Sequence, residues 1–231
     1  MLLPHIETVL GRLQVAEDEV AALIGLRAGR VRIGMFFTAF AVLAPEVAAH
    51  VAIHHPHLDV DYTLVDRQAA FRQLQAAELD LAVVFEHEFE PDPPPPGIEL
   101  CPLFDDPARV LLPADHRLAT HSRLTVEQLS EERWIRPHDG SAARLLDRVV
   151  PAPRRTLAAG QGDEPVEIQV HVAAGAGVAL ANELNVVINP TRITAVSLAG
   201  TAPRRIQLAQ AAGQDSPAPN AVAALIRQLR P

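Results

Sequence analysis

The sequence predicts an α/β fold made of two lobes, preceded by one long helix. Three observations indicate it. Short runs rich in apolar and β-branched residues alternate with helix-length segments, and strands that alternate with crossover helices pair in parallel. The alternation occurs in two blocks, separated by Asp105, Asp106 and Pro107. Hydrophobic residues make up 48% of 231 positions, which is ample for buried cores.

The first 28 residues are predicted to form the long helix. Their apolar positions recur at steps of three and four residues, which places them on one helical face; they are Ile6, Val9, Leu10, Leu13, Ala16, Val20, Leu23 and Ile24. Charged residues occupy the other faces, and Gly29 follows as a stop signal. A single apolar seam favours packing against a partner helix.

The first block predicts three strands and two helices. The strands are residues 31–35, 58–65 and 79–85, and the helices are 39–54, with Pro45 in or near its first turn, and 68–77. Residues 86–90 are interpreted as a solvated acidic loop. Because proline lacks an amide donor and has a fixed φ, the five prolines of residues 90–97 predict a stiff surface loop. Two further strands, 98–104 and 108–112, flank the break between the blocks.

The second block predicts shorter elements. Helices are expected at residues 126–129, 141–149 and 164–174, and strands at 134–136, 155–159, 178–181, 186–188 and 193–197. Gly175-Ala176-Gly177 is interpreted as a tight helix-to-strand turn, since it lacks the third glycine of a dinucleotide fingerprint. After a break at residues 199–203, a strand at 205–209 and a helix at 220–229 close the chain.

Composition excludes several classes of protein. The formal net charge of -8 argues against binding of a DNA duplex by this chain itself. All 20 basic residues are arginine, so Schiff-base and P-loop chemistry that needs lysine is excluded. Cys101 is the only cysteine, so neither an internal disulfide nor a cysteine metal cluster is expected. No secretion signal or long unbroken apolar stretch is apparent, which predicts a cytoplasmic protein without a membrane partner.

In six segments the sequence resembles the LysR-type transcriptional regulators. The segments follow in order along nearly the whole chain: GRVRIG (29–34), LAP (43–45), HPHLDV (55–60), LQAAELDLAV (74–83), LPADHRLA (112–119) and VAAGAGVAL (172–180). Each segment is unspecific alone, and their joint order carries the resemblance.

The resemblance implies a linker and dimerisation helix, residues 1–28, followed by two Rossmann-like subdomains of the periplasmic-binding-protein type II kind. Subdomain I would hold residues 30–105 plus 204–231, and subdomain II residues 106–203. A small-molecule effector would bind between them and control transcription, and the chain would form a homodimer or homotetramer. The family's winged helix-turn-helix is absent from the sequence, so DNA would be bound only through that missing head.

Candidate effector contacts lie where predicted strands end and helices begin, because helix N-termini favour anionic groups. In the first lobe they are Phe37, Thr38, Asp66 and Arg67; in the second they are Arg136, His138, Gly140, Ser141, Gln161, Gly162, Asp163 and Glu164. Thr38 can cap the next helix or contact a ligand, and the resemblance favours the ligand. Arg67 can clamp a carboxylate or stay solvated. The second-lobe residues can equally form plain capped or glycine turns.

Neither metal, cofactor nor catalysis is expected. Pro56 displaces His57 from any face that His54 and His55 could share, and a structural zinc site needs four placed ligands. No nucleophile–base pair is apparent, so an enzyme on this scaffold is disfavoured. A stand-alone cytoplasmic small-molecule-binding protein of the same fold, without a regulatory role, remains the alternative to an effector-sensing domain.

Overall fold

The computed structural model describes residues 12, 29–138, 140–150, 155–158, 165–188 and 191–229. Arg12 is helical, and the rest of the predicted leading helix lies outside the described residues. The described chain divides into two units. Unit 1 contains residues 29–105 and 205–229, and unit 2 runs from Asp106 to Arg204.

Eleven strands and five helices of the described residues are numbered in chain order. The strands are β1 Gly29–Met35, β2 Leu58–Leu64, β3 Leu81–His87, β4 Ile98–Asp106, β5 Ala108–Pro113, β6 Arg123–Leu124, β7 Arg133–Arg136, β8 Arg155–Ala158, β9 Ala179–Asn182, β10 Ile193–Leu198 and β11 Arg204–Ala211. The helices are α1 Phe37–His54, α2 Arg67–Gln75, α3 Gly140–Val149, α4 Pro165–Ala173 and α5 Pro217–Ile226. Two 3-10 helices span Glu127–Leu129 and Glu183–Ile188.

Unit 1 is built on a five-stranded sheet with the order β2-β1-β3-β11-β4. Strand β1 is parallel to β2, with Gly29 opposite Leu58, and parallel to β3, with Met35 opposite Val83. The predicted parallel pairing is therefore confirmed. Helix α2 covers one part of this sheet through a buried cluster, which consists of Ala70, Phe71, Leu74, Leu79, Ala82, Val84, Ile98 and Ala209.

Helix α1 is the one described helix that is long and apolar enough to cross a membrane. Core helices of soluble proteins meet the same criteria, and α1 packs on β2 and α5 with Leu43, Val47 and Val51 buried. Pro45 lies inside the helix, not in its first turn. One face of the helix, with six buried residues of 18, therefore belongs to the core of unit 1.

Unit 2 combines a four-stranded sheet, β6-β10-β5-β9, with the parallel pair β7 and β8. Strand β5 is antiparallel to β10 and β9. The core joins helix α4 to the strands through Leu111, Ile135, Ile168, Val172, Ala179, Ala181 and Ile193. The predicted turn before β9 is confirmed: Gly175 has φ +75°, and a Cβ added at Gly177 would lie 2.5 Å from the carbonyl oxygen of Arg133.

One predicted strand of unit 2 is wrong. Residues 186–188 belong to the 3-10 helix Glu183–Ile188. Its start is fixed by distant partners, because the amide of Glu183 donates to the carbonyl oxygen of Pro107 at 3.0 Å and the amide of Leu184 to Asp106 Oδ1 at 3.1 Å. These contacts override the local strand preference of the Asn-Val-Val-Ile run. The short strand β6 was not predicted.

The two strands at the boundary of unit 2 carry a buried ion pair. Asp106 ends β4 with 1% exposure, and Arg204 begins β11 with 6% exposure. Arg204 Nε donates to Asp106 Oδ2 at 2.7 Å, and Asn182 Nδ2 donates to the backbone oxygen of Asp106 at 3.0 Å. Burial lowers the pKa of the Arg204 guanidinium, and the charge of Asp106 opposes that shift.

Candidate functional site

The carboxyl ends of three parallel strands meet at one edge of the unit 1 sheet. We call this the carboxyl edge and define it as Phe36–Thr38 after β1, Val65–Arg67 after β2, and Phe85–His87 of β3. The amide of Val65 donates to the carbonyl oxygen of Met35 at 3.0 Å, which joins the first two segments. The four predicted contacts of the first lobe, Phe37, Thr38, Asp66 and Arg67, all lie at this edge.

Helix α1 begins at the carboxyl edge without a side-chain cap. Its N-cap residue is Phe36, which makes no side-chain hydrogen bond to the helix, and its first turn holds no acidic residue. The positive end of an 18-residue helix is therefore not neutralised by a carboxylate of its own first turn. The alternative that Thr38 caps this helix is wrong, because Thr38 lies inside the first turn and is 3% exposed.

Helix α2, in contrast to α1, begins with a carboxylate as its cap. Asp66 is its N-cap, and Asp66 Oδ1 accepts a hydrogen bond from the amide of Ala69 at 2.7 Å. This carboxylate satisfies one of the free amides and neutralises the positive end of the helix. Asp66 thus has a structural role, and an anionic ligand is better accommodated at α1 than at α2.

Arg67, the predicted carboxylate clamp, is engaged within unit 1. Its Nη1 donates to the carbonyl oxygen of Phe85 and to Gln207 Oε1, both at 3.2 Å, and its Nη2 donates to the backbone oxygen of Asp92 at 2.7 Å. The guanidinium also lies over the ring of Phe71, 4.8 Å from the centroid. The side chain is 11% exposed, so the solvated alternative is wrong.

Burial and neighbouring charges act in opposite directions on the pKa of Arg67. Burial lowers the pKa of its guanidinium, and Arg205 adds to this shift, whereas the carboxylates of Glu86 and Asp92 oppose it. Glu86 Oε2 in turn accepts from Arg205 Nη2 at 2.7 Å. The interpretation of residues 86–90 as a solvated loop is therefore wrong for Glu86, which is 11% exposed, and for His87, which is 5% exposed.

Aromatic rings form a row along the same edge. Phe36 contacts Phe85 edge to face with centroids 4.8 Å apart, Phe85 contacts His87 at 5.6 Å, and His87 stacks on Phe89 at 5.0 Å. Phe36, Phe85 and Phe89 are half-buried. The carboxyl edge therefore combines an uncapped helix start with partly exposed aromatic surface, an arrangement that can hold a ligand with both an anionic group and an apolar body.

Four of the eight predicted contacts of unit 2 lie at the connection between β7 and α3. Arg136 ends β7 and donates from Nη1 to the carbonyl oxygen of Pro137 at 3.0 Å, and it pairs with Asp147 of α3. His138 is exposed, Gly140 begins α3 with φ +79°, and Ser141 is half-buried in its first turn. Gln161, Gly162, Asp163 and Glu164 lie outside the described residues.

Unit 2 also has a groove that none of these predicted contacts lines. It has a volume of about 310 Å³ and lies among the end of β5, the end of α4 and the start of β10; its lining includes Asp115, Gly175 and Arg192. Among the described residues, no group of three histidine, cysteine, aspartate or glutamate side chains could hold a metal ion.

Two residues that contribute to this site were not singled out from the sequence. Phe85 follows an apolar run and was assigned only as the end of a strand, which was the one signal available for it. Asp92, which contacts Arg67, lies between prolines in a predicted surface loop. The contact between Arg67 and Asp92 joins residues 25 positions apart, which no local pattern reports.

The LysR substrate binding domain family matches residues 25–231 of the chain. Among curated proteins, the HTH-type transcriptional regulator CbbR of Rhodospirillum rubrum is 30% identical over 146 residues, which are 63% of this chain and 46% of the relative. The chain spans about half the length of the curated relatives that it matches first.

Two solved structures share the fold. The BenM effector binding domain with its effector benzoate has a TM-score of 0.71 at 18% identity, covering 86% of this chain and 90% of that one. The CcmR regulatory domain of Synechocystis PCC6803 in complex with 2-PG has a TM-score of 0.69 at 21% identity, covering 86% and 95%. These likenesses confirm the predicted periplasmic-binding-protein type II fold, and by its family match the chain belongs to the LysR substrate binding domain family.

Proposed function

We propose that the chain is the effector-sensing part of a LysR-type transcriptional regulator, and that its effector carries an anionic group bound at the carboxyl edge of unit 1. The observation that supports this most strongly is the contrast between two neighbouring helices. The start of α2 is neutralised by Asp66, whereas the start of α1 has neither a side-chain cap nor a first-turn acid. An anion therefore gains most at the amides of residues 37–39.

The apolar part of the effector would contact the partly exposed rings of Phe36 and Phe85. The centroids of these two rings lie 4.8 Å apart and their planes meet at 73°, so one ring presents a face and the other an edge. This surface suits a planar or compact apolar body. Benzoate, the effector of the related BenM domain, has this combination of a ring and a carboxylate. The predicted contacts of unit 2, residues 136–141 and 161–164, stay predictions.

Effector occupancy would act by shifting the populations of the regulator's conformations. The proposal assigns DNA binding to another part of such a regulator, because the formal net charge of -8 opposes contact with phosphates. It assigns association between subunits to the amphipathic residues 1–28 and no catalytic step to the chain. A regulator of this kind acts in the cytoplasm.

A thermal-shift screen tests the proposal. The 231-residue chain would be heated with benzoate, shikimate and a library of other carboxylates and phosphate esters. A ligand at about 100 times its dissociation constant stabilises a fold by about 2.7 kcal/mol, so a true effector gives a saturable rise in Tm. Failure of every library member to stabilise the chain, or turnover of the ligand that does, contradicts the proposal.

A matched pair of variants then locates the site. Phe36→Leu removes a half-buried ring at the start of α1, and we expect at least about tenfold weaker binding. Phe104→Leu makes the same chemical change at a half-buried position of β4 and should leave binding unchanged. Equal affinities for the two variants would place the effector elsewhere.

A further inference from the structure

The proline-rich segment after β3 is fastened to α2 at both ends. We call residues 91–97 the proline strap. At its start, Gln68 Nε2 donates to Asp92 Oδ2 at 2.6 Å and Arg67 Nη2 donates to the backbone oxygen of Asp92 at 2.7 Å. At its far end, Gln75 Nε2 donates to the carbonyl oxygen of Pro96 at 3.0 Å.

The contact between Arg67 and the Asp92 carboxylate is incomplete. Arg67 Nε lies 3.2 Å from Asp92 Oδ2 but makes no hydrogen bond to it, and this Nε is buried. The remaining donors of Arg67 that have described partners reach neutral oxygens of Phe85, Gln207 and the Asp92 backbone. The guanidinium thus has a buried donor that a better-placed oxyanion could satisfy.

The two partners differ in their access to water. The Asp92 side chain is 38% exposed, whereas that of Arg67 is 11% exposed. The Asp92 carboxylate can therefore turn to solvent at the loss of its hydrogen bond from Gln68, while Arg67 cannot follow it without losing the ring of Phe71. Glu86 would stay neutralised after such a departure, because Arg205 holds its Oε2 at 2.7 Å.

We propose that the Asp92 carboxylate is an internal substitute for the effector's anionic group, and that an oxyanion bound at the carboxyl edge competes with it for Arg67 Nε. This inference rests on the proposed function and names how the same edge is regulated. The exchange replaces one carboxylate by another anion, so the charge around the buried guanidinium is conserved. The backbone of the strap stays in place, because Arg67 Nη2 still donates to the backbone oxygen of Asp92 and the amide of Asp92 still donates to Glu86 Oε1 at 2.9 Å.

The test follows the Nε–H resonance of Arg67 by NMR in the complete chain, identified by its loss in Arg67→Lys. Asp92→Asn keeps the size of the side chain and removes its charge. On titration with benzoate or with inorganic phosphate, we expect this resonance to shift with an apparent Kd at least about tenfold lower in Asp92→Asn than in the unmodified chain. Asp59→Asn removes the same charge from an exposed position on β2 and should leave the Kd unchanged.

The two probes identify the anion, since a response to benzoate supports a carboxylate and a response to phosphate supports a phosphate group. The inference is overturned if the Arg67 resonance ignores both probes in Asp92→Asn. It is equally overturned if Asp92→Asn and the unmodified chain respond with the same Kd, or if Asp59→Asn gains as much as Asp92→Asn. Any of these results leaves the proposed function standing when benzoate still raises the Tm, so the two failures are distinguishable.

Discussion

Removal of one partner of the buried Asp106–Arg204 pair should destabilise unit 2 strongly. In Arg204→Met, the carboxylate of Asp106 stays 1% exposed and keeps only the amide of Leu184 among its described donors. Breaking a buried pair by removing one partner costs about 3–5 kcal/mol, because it leaves a buried charge uncompensated. Against a total stability of about 5–15 kcal/mol, this is a large share. Asp106→Asn should also destabilise unit 2, since the guanidinium of Arg204 loses the opposite charge of its buried partner.

The double variant separates the ion pair from its hydrogen bonds. In Asp106→Asn with Arg204→Met, the amide oxygen of the new side chain can still accept from Leu184, and neither charge remains. We expect it to lose about 1–3 kcal/mol, the cost of an unsatisfied polar group, instead of the sum of the single losses.

Urea unfolding at pH 7 measures these losses. Circular dichroism reports on the whole chain, and the fluorescence of Trp134, the only tryptophan, reports on unit 2, where it is 1% exposed. Single losses below about 1 kcal/mol, or a double variant whose loss equals their sum, would refute the reasoning that the pair acts as a buried unit.

Three further predictions follow from single residues. Gly177→Ala should cost about 1–3 kcal/mol in urea unfolding, because its Cβ would lie 2.5 Å from a backbone oxygen, whereas Gly213→Ala, with φ +73° but open space, should cost only about 1–2 kcal/mol. Asp66→Ala should cost about 1 kcal/mol by removing the cap of α2, and Asp59→Ala should cost nothing measurable by the same assay. Burial raises the pKa of Tyr62 to about 12, so its absorbance change at alkaline pH should occur well above the usual value of 10. Since the folded state holds this proton more tightly, the free energy of unfolding falls as the pH rises from 10 to about 12. A midpoint of the absorbance change near pH 10 would contradict the burial of Tyr62.

Local patterns were sufficient for most elements of the fold. Strands β1 and β3 are short apolar runs between turn signals, and their alternation with helices was enough to predict parallel pairing. The two blocks of alternation indicated two lobes, and the family resemblance added that they are of the periplasmic-binding-protein type II kind. The run 186–188 was misassigned because its helical start depends on Asp106 and Pro107, about 80 positions earlier.

The candidate site was predictable in position but not in detail. Strand ends and helix starts located Phe37, Thr38, Asp66 and Arg67 at one edge, since parallel strands bring their carboxyl ends together. Which helix start is neutralised could not be read from the sequence. Threonine and aspartate are both good caps, but α1 begins one residue before Thr38 and leaves the hydroxyl inside its first turn.

Amide chemical shifts test most directly whether an anionic effector binds at the start of α1. The 231-residue chain would be titrated with benzoate, or with the strongest ligand from the thermal screen, while backbone resonances are recorded. The account predicts saturable changes that are largest at the amides of residues 37–39 and accompanied by changes at Phe36 and Phe85. Largest changes at the unit 2 groove beside Asp115 and Arg192, with residues 36–39 unaffected at saturation, would contradict it.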